Sequence, residues 1–255
     1  MNDVSLGEGE AEDVRLAVDW FYPSPNGDKL AFGISANGDE NSTLFVLDVE
    51  SGELSEESIT RTKWCNLAWA PDANSFYYSR YPATEEGQAQ SYFPTLYHHV
   101  LGDSPDNDTL VFRGERGTDF PSPDVSADGR YLVVNVFRGW SESDVYLFDR
   151  RRRPAPSTAR PLQAVVRGEE HMTTGHVHDG KLYLLTNWEA PRRRVMRTAV
   201  DQLDKANWQA VLPEGEGTIA DLVYTDAGFV VHTHEDIRSK LRRYDNAGQL
   251  VEEVP

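Results

Sequence analysis

The stretch FPSPDVSADGRYLVVNVF, from Phe120 to Phe137, decides the fold, because the chain repeats its pattern along most of its length. In it, a Ser-Ala-Asp-Gly turn separates two short apolar runs, a combination that is typical of a β-hairpin. Four similar phrases occur: FYPSPNGDKLAFGIS from Phe21, LAWAPDANSFYYSRY from Leu67, GHVHDGKLYLLTNW from Gly175 and LVYTDAGFVVHTH from Leu222.

The turns of these hairpins recur at a regular interval. Successive turn residues are 47, 55, 51 and 48 positions apart. Gly or Asn is expected where a tight hairpin needs a positive φ. We therefore place the five turns at Gly27, Asn74, Gly129, Gly180 and Gly228.

A second feature follows each hairpin: a strand that ends in a charged or Gly-bearing turn, as in TLFVLDVESGEL and VYLFDRRRR, and then a last short strand. This gives about four strands per unit of about 50 residues, which is typical of propeller blades. No long segment has helical periodicity. The sequence predicts an all-β propeller of about five four-stranded blades over residues 14–255, after an acidic segment at 1–13. A β-sandwich is the main alternative, although sandwiches rarely repeat so regularly.

Charge and composition exclude several classes of function. The formal net charge is −17, and residues 1–60 hold fourteen Asp or Glu against only Arg15 and Lys29. Such a surface repels phosphate backbones, so we expect no nucleic-acid partner. No stretch reaches the roughly 18 apolar residues of a membrane span, and no secretory signal is visible. With the single cysteine, Cys65, expected to be a buried thiol, these features favour a cytoplasmic protein with no membrane partner.

The words inside the repeats are more informative than the repeat itself. LAFGISANGDENSTLFVLDVESGE is followed by WCNLAWAPDANSFYYSRYP, and after a polar insert come LYHHVLG, DNDTLVF and DVSADGRYLVVNVFRGWSESDVYLFD. This order resembles the propeller domain of prolyl oligopeptidases, serine endopeptidases that cleave short peptides after proline. The resemblance covers nearly all residues from about 14 to 250.

The resemblance also shows two departures. The family ring has seven blades, whereas this chain has room for five. The family's α/β-hydrolase domain, which carries the nucleophile in a G-x-S-x-G elbow, is expected to be absent, because no G-x-S-x-G occurs in the 255 residues. No catalytic residue is therefore carried over, and no substrate-pocket residue aligns securely.

Two histidine pairs are the main candidates for a metal site. His176 and His178, and likewise His232 and His234, are spaced i, i+2, which places both imidazoles of a pair on one face of a strand. Each pair lacks a third ligand nearby, so polar strand faces or channel linings are the favoured interpretation, and no metal is predicted. His98 and His99 match a word of the family and are interpreted as structural.

Other chemistry finds little support. No local motif pairs Ser, His and Asp for nucleophilic attack, and no glycine-rich phosphate loop occurs, so no cofactor is predicted. Three acidic pairs are expected to lie in solvated loops: Glu56-Glu57, Glu85-Glu86 and Glu169-Glu170. The basic run from Arg192 to Arg194 is interpreted as a solvated loop, with an interdomain contact as the alternative.

The resemblance implies a lid that caps and filters access to a peptidase active site and is not catalytic alone. Its partners would be an α/β-hydrolase domain in the parent chain and short proline-containing peptides. The alternative is a free-standing propeller that serves as a binding scaffold, because propellers host many functions. If five blades keep the curvature of a seven-blade ring, an open arc that self-associates is expected; a closed ring of five is the other outcome.

Overall fold

The computed structural model describes residues 14–84, 92–151 and 162–254, which form five antiparallel sheets of four strands each. The sheets follow one another along the chain, and within each sheet the neighbouring strands are consecutive in the sequence. The five-blade prediction is confirmed. The first two blades contain β1 (Leu16–Pro23), β2 (Lys29–Ala36), β3 (Thr43–Asp48), β4 (Leu54–Ile59), β5 (Leu67–Trp69), β6 (Ser75–Arg80), β7 (Thr95–Val100) and β8 (Thr109–Arg113).

The other three blades also have four strands each. Apart from strands, the described residues form only two short 3-10 helices, Pro105–Asn107 and Lys205–Asn207. Their strands are β9 (Phe120–Val125), β10 (Tyr131–Phe137), β11 (Ser143–Asp149), β12 (Gln163–Val166), β13 (Thr173–His178), β14 (Lys181–Thr186), β15 (Arg194–Ala199), β16 (Gln209–Leu212), β17 (Thr218–Thr225), β18 (Gly228–Glu235), β19 (Arg238–Tyr244) and β20 (Leu250–Val254).

The first and third blades have the same four-residue turn between their first and second strands. The hydroxyl of Ser126 accepts a hydrogen bond from the N–H of Tyr131 at 2.9 Å and donates one to the carboxylate of Asp128 at 2.6 Å. Ser24 makes the corresponding bond to the N–H of Lys29, also at 2.9 Å. Short polar side chains that bond their own backbone in this way stabilise a turn without tertiary help.

The second blade differs from the prediction by one residue. Ala73, not Asn74, holds the positive φ, at 54°. The N–H of Ala73 donates to the carbonyl of Ala70 at 2.9 Å, which is the bond that Gly129 makes with Ser126 at 2.7 Å. The turn geometry is thus kept with an alanine in the left-handed region, where glycine is the unstrained residue.

The last two hairpins use shorter turns. Asp179 and Gly180, with φ of 47° and 67°, form a two-residue turn of the kind that hairpins favour. Gly228 does not lie in the turn itself, because it is the first residue of β18 and pairs with Thr225. Glycine is required at this position because the backbone of Tyr244 approaches closely: a Cβ there would lie 2.0 Å from the Tyr244 carbonyl oxygen.

Four apolar clusters hold the blades together, and each joins two neighbouring sheets. The cluster between the first and second blades includes Leu44 and Phe76, and the cluster between the second and third blades includes Leu96 and Val134. Tyr183 and Phe229 belong to the cluster between the fourth and fifth blades, and the third and fourth share a cluster of their own. A blade cannot bury both faces of its sheet alone, so this stacking supplies the core.

Among the described residues no cluster joins the fifth blade to the first, and the burial patterns show why. In β10, of the middle blade, side chains on both faces are buried, whereas in β2 and β18 burial alternates. The uncovered faces expose apolar side chains: Phe21 is 66% exposed and Val223 is 60% exposed. The described blades therefore form an open arc rather than a closed ring of five.

The strand connections of the blades lie on two opposite sides of the arc. We call "turn end" the side that carries the turns between the first and second strands and between the third and fourth strands of each blade, and "loop end" the opposite side. Contacts between neighbouring sheets include β5 with β9 and β9 with β13, which places first strands at the centre. The first strands thus form the wall of a central channel that runs from the turn end to the loop end.

Candidate functional site

A row of three polar side chains crosses the channel wall. Nδ1 of His176, in β13, lies 2.6 Å from a carboxylate oxygen of Asp124, in β9. The ring of Tyr224, in β17, stacks on the His176 imidazole with centroids 4.4 Å apart and an interplanar angle of 17°. Three consecutive blades are therefore joined at their innermost strands by a polar and an aromatic contact, and Tyr224 also packs against the apolar cluster between the fourth and fifth blades.

This row lines a cavity of about 430 Å³ between the third, fourth and fifth blades. Asp221 brings a second carboxylate to the same cavity, and no lysine or arginine lines it. Burial raises the pKa of the Tyr224 phenol far above its usual value, and Asp124, Tyr183 and Asp221 raise it further. The phenol therefore stays protonated, and its surroundings disfavour negative charge.

A second cavity, of about 500 Å³, lies at the turn end of the same blades. His178 lines it, with its ring centroid 6.2 Å from that of Tyr224, so the two cavities meet along β13 and β17. Three carboxylates line this outer cavity together with two basic side chains; they are Asp128, Asp179, Asp226, Lys181 and Arg197.

The loop end exposes aromatic side chains. Trp140, in the connection between β10 and β11, is 96% exposed, and Trp64 and Tyr92 are more than half exposed. Arginines share this end, among them Arg61, Arg116, Arg167 and Arg192. Tryptophan, tyrosine and arginine are the residues that contribute most at protein interfaces.

The connection that bears Trp140 is fixed by a buried ion-pair cluster. The guanidinium of Arg138 is 6% exposed and lies 3.2 Å from Asp119 and 2.8 Å from Asp144, which are both almost fully buried. Glu115 is a third partner at 3.4 Å. Glu115 and Asp119 come from the connection before β9 and Asp144 comes from β11, so the cluster ties the connection that carries Trp140 to the elements on either side of it.

The structure does not bring the two histidine pairs together. His176 and His178 stack on one face of β13, with ring centroids 6.4 Å apart. His232 lies on the uncovered face of the fifth blade, beside Val223 and Leu241. No group of three or more metal-type ligands converges within residues 14–84, 92–151 and 162–254.

His99 and Cys65 are core residues. Nδ1 of His99 lies 2.7 Å from Asp108, and the hydroxyl of Tyr78 donates to the same carboxylate at 2.6 Å. His98 points to the other face of the strand and packs against the Tyr77 ring, with centroids 4.7 Å apart and the rings tilted by 38°. Cys65 is buried, as predicted from the sequence.

The acidic pairs have different locations. Glu56 and Glu57 lie in β4, not in a loop, so that prediction is wrong; β4 is the outer edge of its blade, where charged side chains remain solvated. Glu169 is in a loop, as expected, and pairs with Lys205. The pair Glu85-Glu86 lies outside the described residues.

Sequence reasoning missed Asp124 and Tyr224 as partners of His176. A signal was present, because the three residues precede their hairpin glycines, Gly129, Gly228 and Gly180, by four or five positions. Equivalent positions in successive blades lie side by side on the channel wall. Trp140 was overlooked because an exposed loop residue has no periodic signal.

Within the described part of the chain, no helix is long and apolar enough to cross a membrane. Residues 8–255 match the family model described as prolyl oligopeptidase, N-terminal β-propeller domain. A prolyl endopeptidase of Elizabethkingia meningoseptica is 24% identical over 89% of this chain and 32% of its own length. Prolyl oligopeptidase A of Galerina marginata is 26% identical over 93% of this chain and 35% of its own.

Solved structures give the same result. A prolyl endopeptidase structure, from work on inter-domain dynamics in catalysis and specificity, superposes with a TM-score of 0.84 at 29% identity, over 95% of this chain and 35% of that one. Prolyl oligopeptidase B of Galerina marginata, bound to a 35-residue substrate, gives 0.83 at 19% identity over 94% and 35%, which shows a shared fold. The chain thus spans about a third of the length of these proteins.

Proposed function

Because the chain belongs to the family of the prolyl oligopeptidase N-terminal β-propeller domain, we propose that it is the lid of a prolyl oligopeptidase-like serine endopeptidase. In this role it caps the active site of an α/β-hydrolase domain and admits short proline-containing peptides while excluding folded proteins. Relative motion of the two domains would gate entry. The observation that carries the proposal is the loop end, which presents Trp140, Trp64 and Tyr92 among arginines.

The chemistry is assigned to the hydrolase domain rather than to the propeller. No G-x-S-x-G elbow occurs in the 255 residues, and His99, His176 and His171 pair with Asp108, Asp124 and Glu169, respectively. A fluorophosphonate probe should therefore leave the purified chain unlabelled. Strong labelling that is abolished by mutation of one serine would overturn this assignment.

The lid role is tested on a chain that carries the propeller together with its hydrolase domain. Trp140→Ala should lower kcat/KM for a proline-containing peptide by about fivefold or more, since the side chain faces the partner domain or its substrate. The matched control is Val49→Ala, which removes an exposed apolar side chain at the turn end and should change nothing. Equal activity of both variants would refute the orientation.

The free-standing scaffold is the less favoured alternative, because the matched relatives are peptidases. The reading frame around residues 1–255 separates the two hypotheses. An adjoining α/β segment with G-x-S-x-G supports the lid, and a frame without one supports the scaffold.

Self-association and a cytoplasmic location complete the proposal. The apolar side chains on the uncovered faces, such as Phe21 and Val223, support self-association of the chain in isolation. Light scattering during size-exclusion chromatography, with dye binding on the same sample, tests it, and a dye-silent monomer would count against it. Cell fractionation tests the location.

A further inference from the structure

The inner cavity contains polar atoms that no neighbour satisfies. Because the carboxylate of Asp124 can only accept, Nδ1 of His176 carries the proton and donates to it. In the neutral imidazole Nε2 is therefore an acceptor. Neither this atom, nor the second carboxylate oxygen of Asp124, nor the hydroxyl of Tyr224 has a hydrogen-bond partner among the described residues. These atoms are open to the cavity rather than buried, because the side chains of His176 and Asp124 are 28% and 31% exposed, so a ligand that enters the cavity can reach them.

The inventory of these groups selects the ligand. Asp124 and Asp221 only accept hydrogen bonds and Nε2 of His176 accepts, whereas the hydroxyls of Ser122, Thr174 and Tyr224 both donate and accept. A cavity so rich in acceptors, with two carboxylates and no basic side chain, matches a ligand group that carries several N–H donors and a positive charge. An ammonium group has three donors on a compact cation.

The turn end supplies a path for such a group. The outer cavity adjoins the inner one at His178 and Tyr224, and its three carboxylates outnumber its two basic side chains. Arg197 already donates to the carbonyl of Asn246 at 3.3 Å, which engages part of its guanidinium. The field along the channel thus becomes more negative from the outer cavity to the inner one, which draws cations inward.

We propose that the channel wall formed by Asp124, His176, Tyr224 and Asp221 is a binding site for the ammonium group of a peptide, such as a lysine side chain. Asp124 is the main anionic partner, and His176 orients it through the 2.6 Å bond. The site lies on the propeller itself and goes beyond the lid role, because it selects a charged group of the peptide. It requires no peptidase domain, so it is testable even where the lid hypothesis fails.

The test is an NMR titration of the 255-residue chain, whose seven histidines give few ring signals. The probes are acetyl-Lys-Gly-Gly-amide and acetyl-norleucine-Gly-Gly-amide, which differ in the ammonium group. The lysine peptide should shift the ring resonances of His176 and His178, and the norleucine peptide should not. Raising the NaCl concentration to about 0.5 M should weaken the interaction, because exposed charges are screened.

Variants assign the site to named residues. Asp124→Asn should weaken binding about tenfold, the size expected from loss of one charge-assisted hydrogen bond. Asp221→Asn should weaken it less and serves if Asp124→Asn fails to fold. The control is Asp103→Asn, which removes the same charge from an exposed residue of another blade and should leave the affinity unchanged. Equal shifts with both peptides, no shift at His176, or unchanged affinity in both channel variants would overturn the proposal.

Discussion

The side-chain amide of Asn135 pairs with both backbone polar groups of Gly175. Its oxygen accepts from the Gly175 N–H at 2.7 Å, and its nitrogen donates to the Gly175 carbonyl at 3.1 Å. The first strand of the fourth blade, β13, is thereby hydrogen-bonded to the second strand of the third blade, β10. A Cβ on Gly175 would lie 2.8 Å from Cγ1 of Val145, so the close approach requires glycine.

Replacement of this amide should therefore destabilise the fold. Asn135→Ala leaves the N–H and carbonyl of buried Gly175 without partners, which should lower the free energy of unfolding by about 2–4 kcal/mol. Urea denaturation followed by tryptophan fluorescence measures the loss. Asn246→Ala, which removes one exposed hydrogen bond, should cost no more than about 0.5 kcal/mol. Similar losses in the two variants would contradict the interpretation.

The carboxylate of Asp108 should be equally important in the second blade. It accepts from the Tyr78 hydroxyl and pairs with Nδ1 of His99, and both partners are fully buried. Asp108→Ala leaves two buried polar groups unsatisfied, so we expect a loss of about 2–4 kcal/mol. Chemical denaturation of Asp106→Ala, an exposed neighbour, provides the baseline. A loss in Asp108→Ala as small as that baseline would show that water replaces the carboxylate.

The thiol of Cys65 should be inert in the folded protein. Burial raises its pKa to about 12. Since the thiolate is the reactive form, a disulfide reagent at pH 8 should label the denatured chain quickly and the native chain only at the rate of unfolding. The folded-state pKa lies above that of the unfolded thiol, so this group lowers the free energy of unfolding as the pH rises above about 9. Rapid labelling of native protein would contradict the burial.

The turn glycine of the first blade should be sensitive to substitution through its backbone alone. Gly27 has a φ of 78° and open space where a Cβ would lie. Gly27→Ala should therefore cost about 1 kcal/mol from left-handed strain, with no steric contribution. Gly215→Ala is the matched control, because that site is also open but has no positive φ; it should be neutral or slightly stabilising. Thermal unfolding distinguishes the two, and equal midpoints would refute the explanation.

Local chemistry is what the sequence could predict. The hairpin at Ser126–Gly129 is specified by residues that bond within the turn, so its repeats predicted five blades and their order. The same local reasoning misplaced the positive φ at Asn74, because propensity favours Asn over Ala there, while the turn repeats the geometry of its neighbours and places Ala73 at that position. It also assigned Glu57 to a loop, since a solvated outer strand has the composition of one.

By itself, the sequence determined the class of fold, the number of blades, the buried thiol and the family, because each depends on residues that are close in the chain or on their order. The tertiary structure decided which side chains meet. Asp124, His176 and Tyr224 are separated by about fifty residues at each step, and only the stacking of three blades brings them to one wall. The openness of the arc was also decided there, since closure depends on the small angle between packed sheets, which no local pattern encodes.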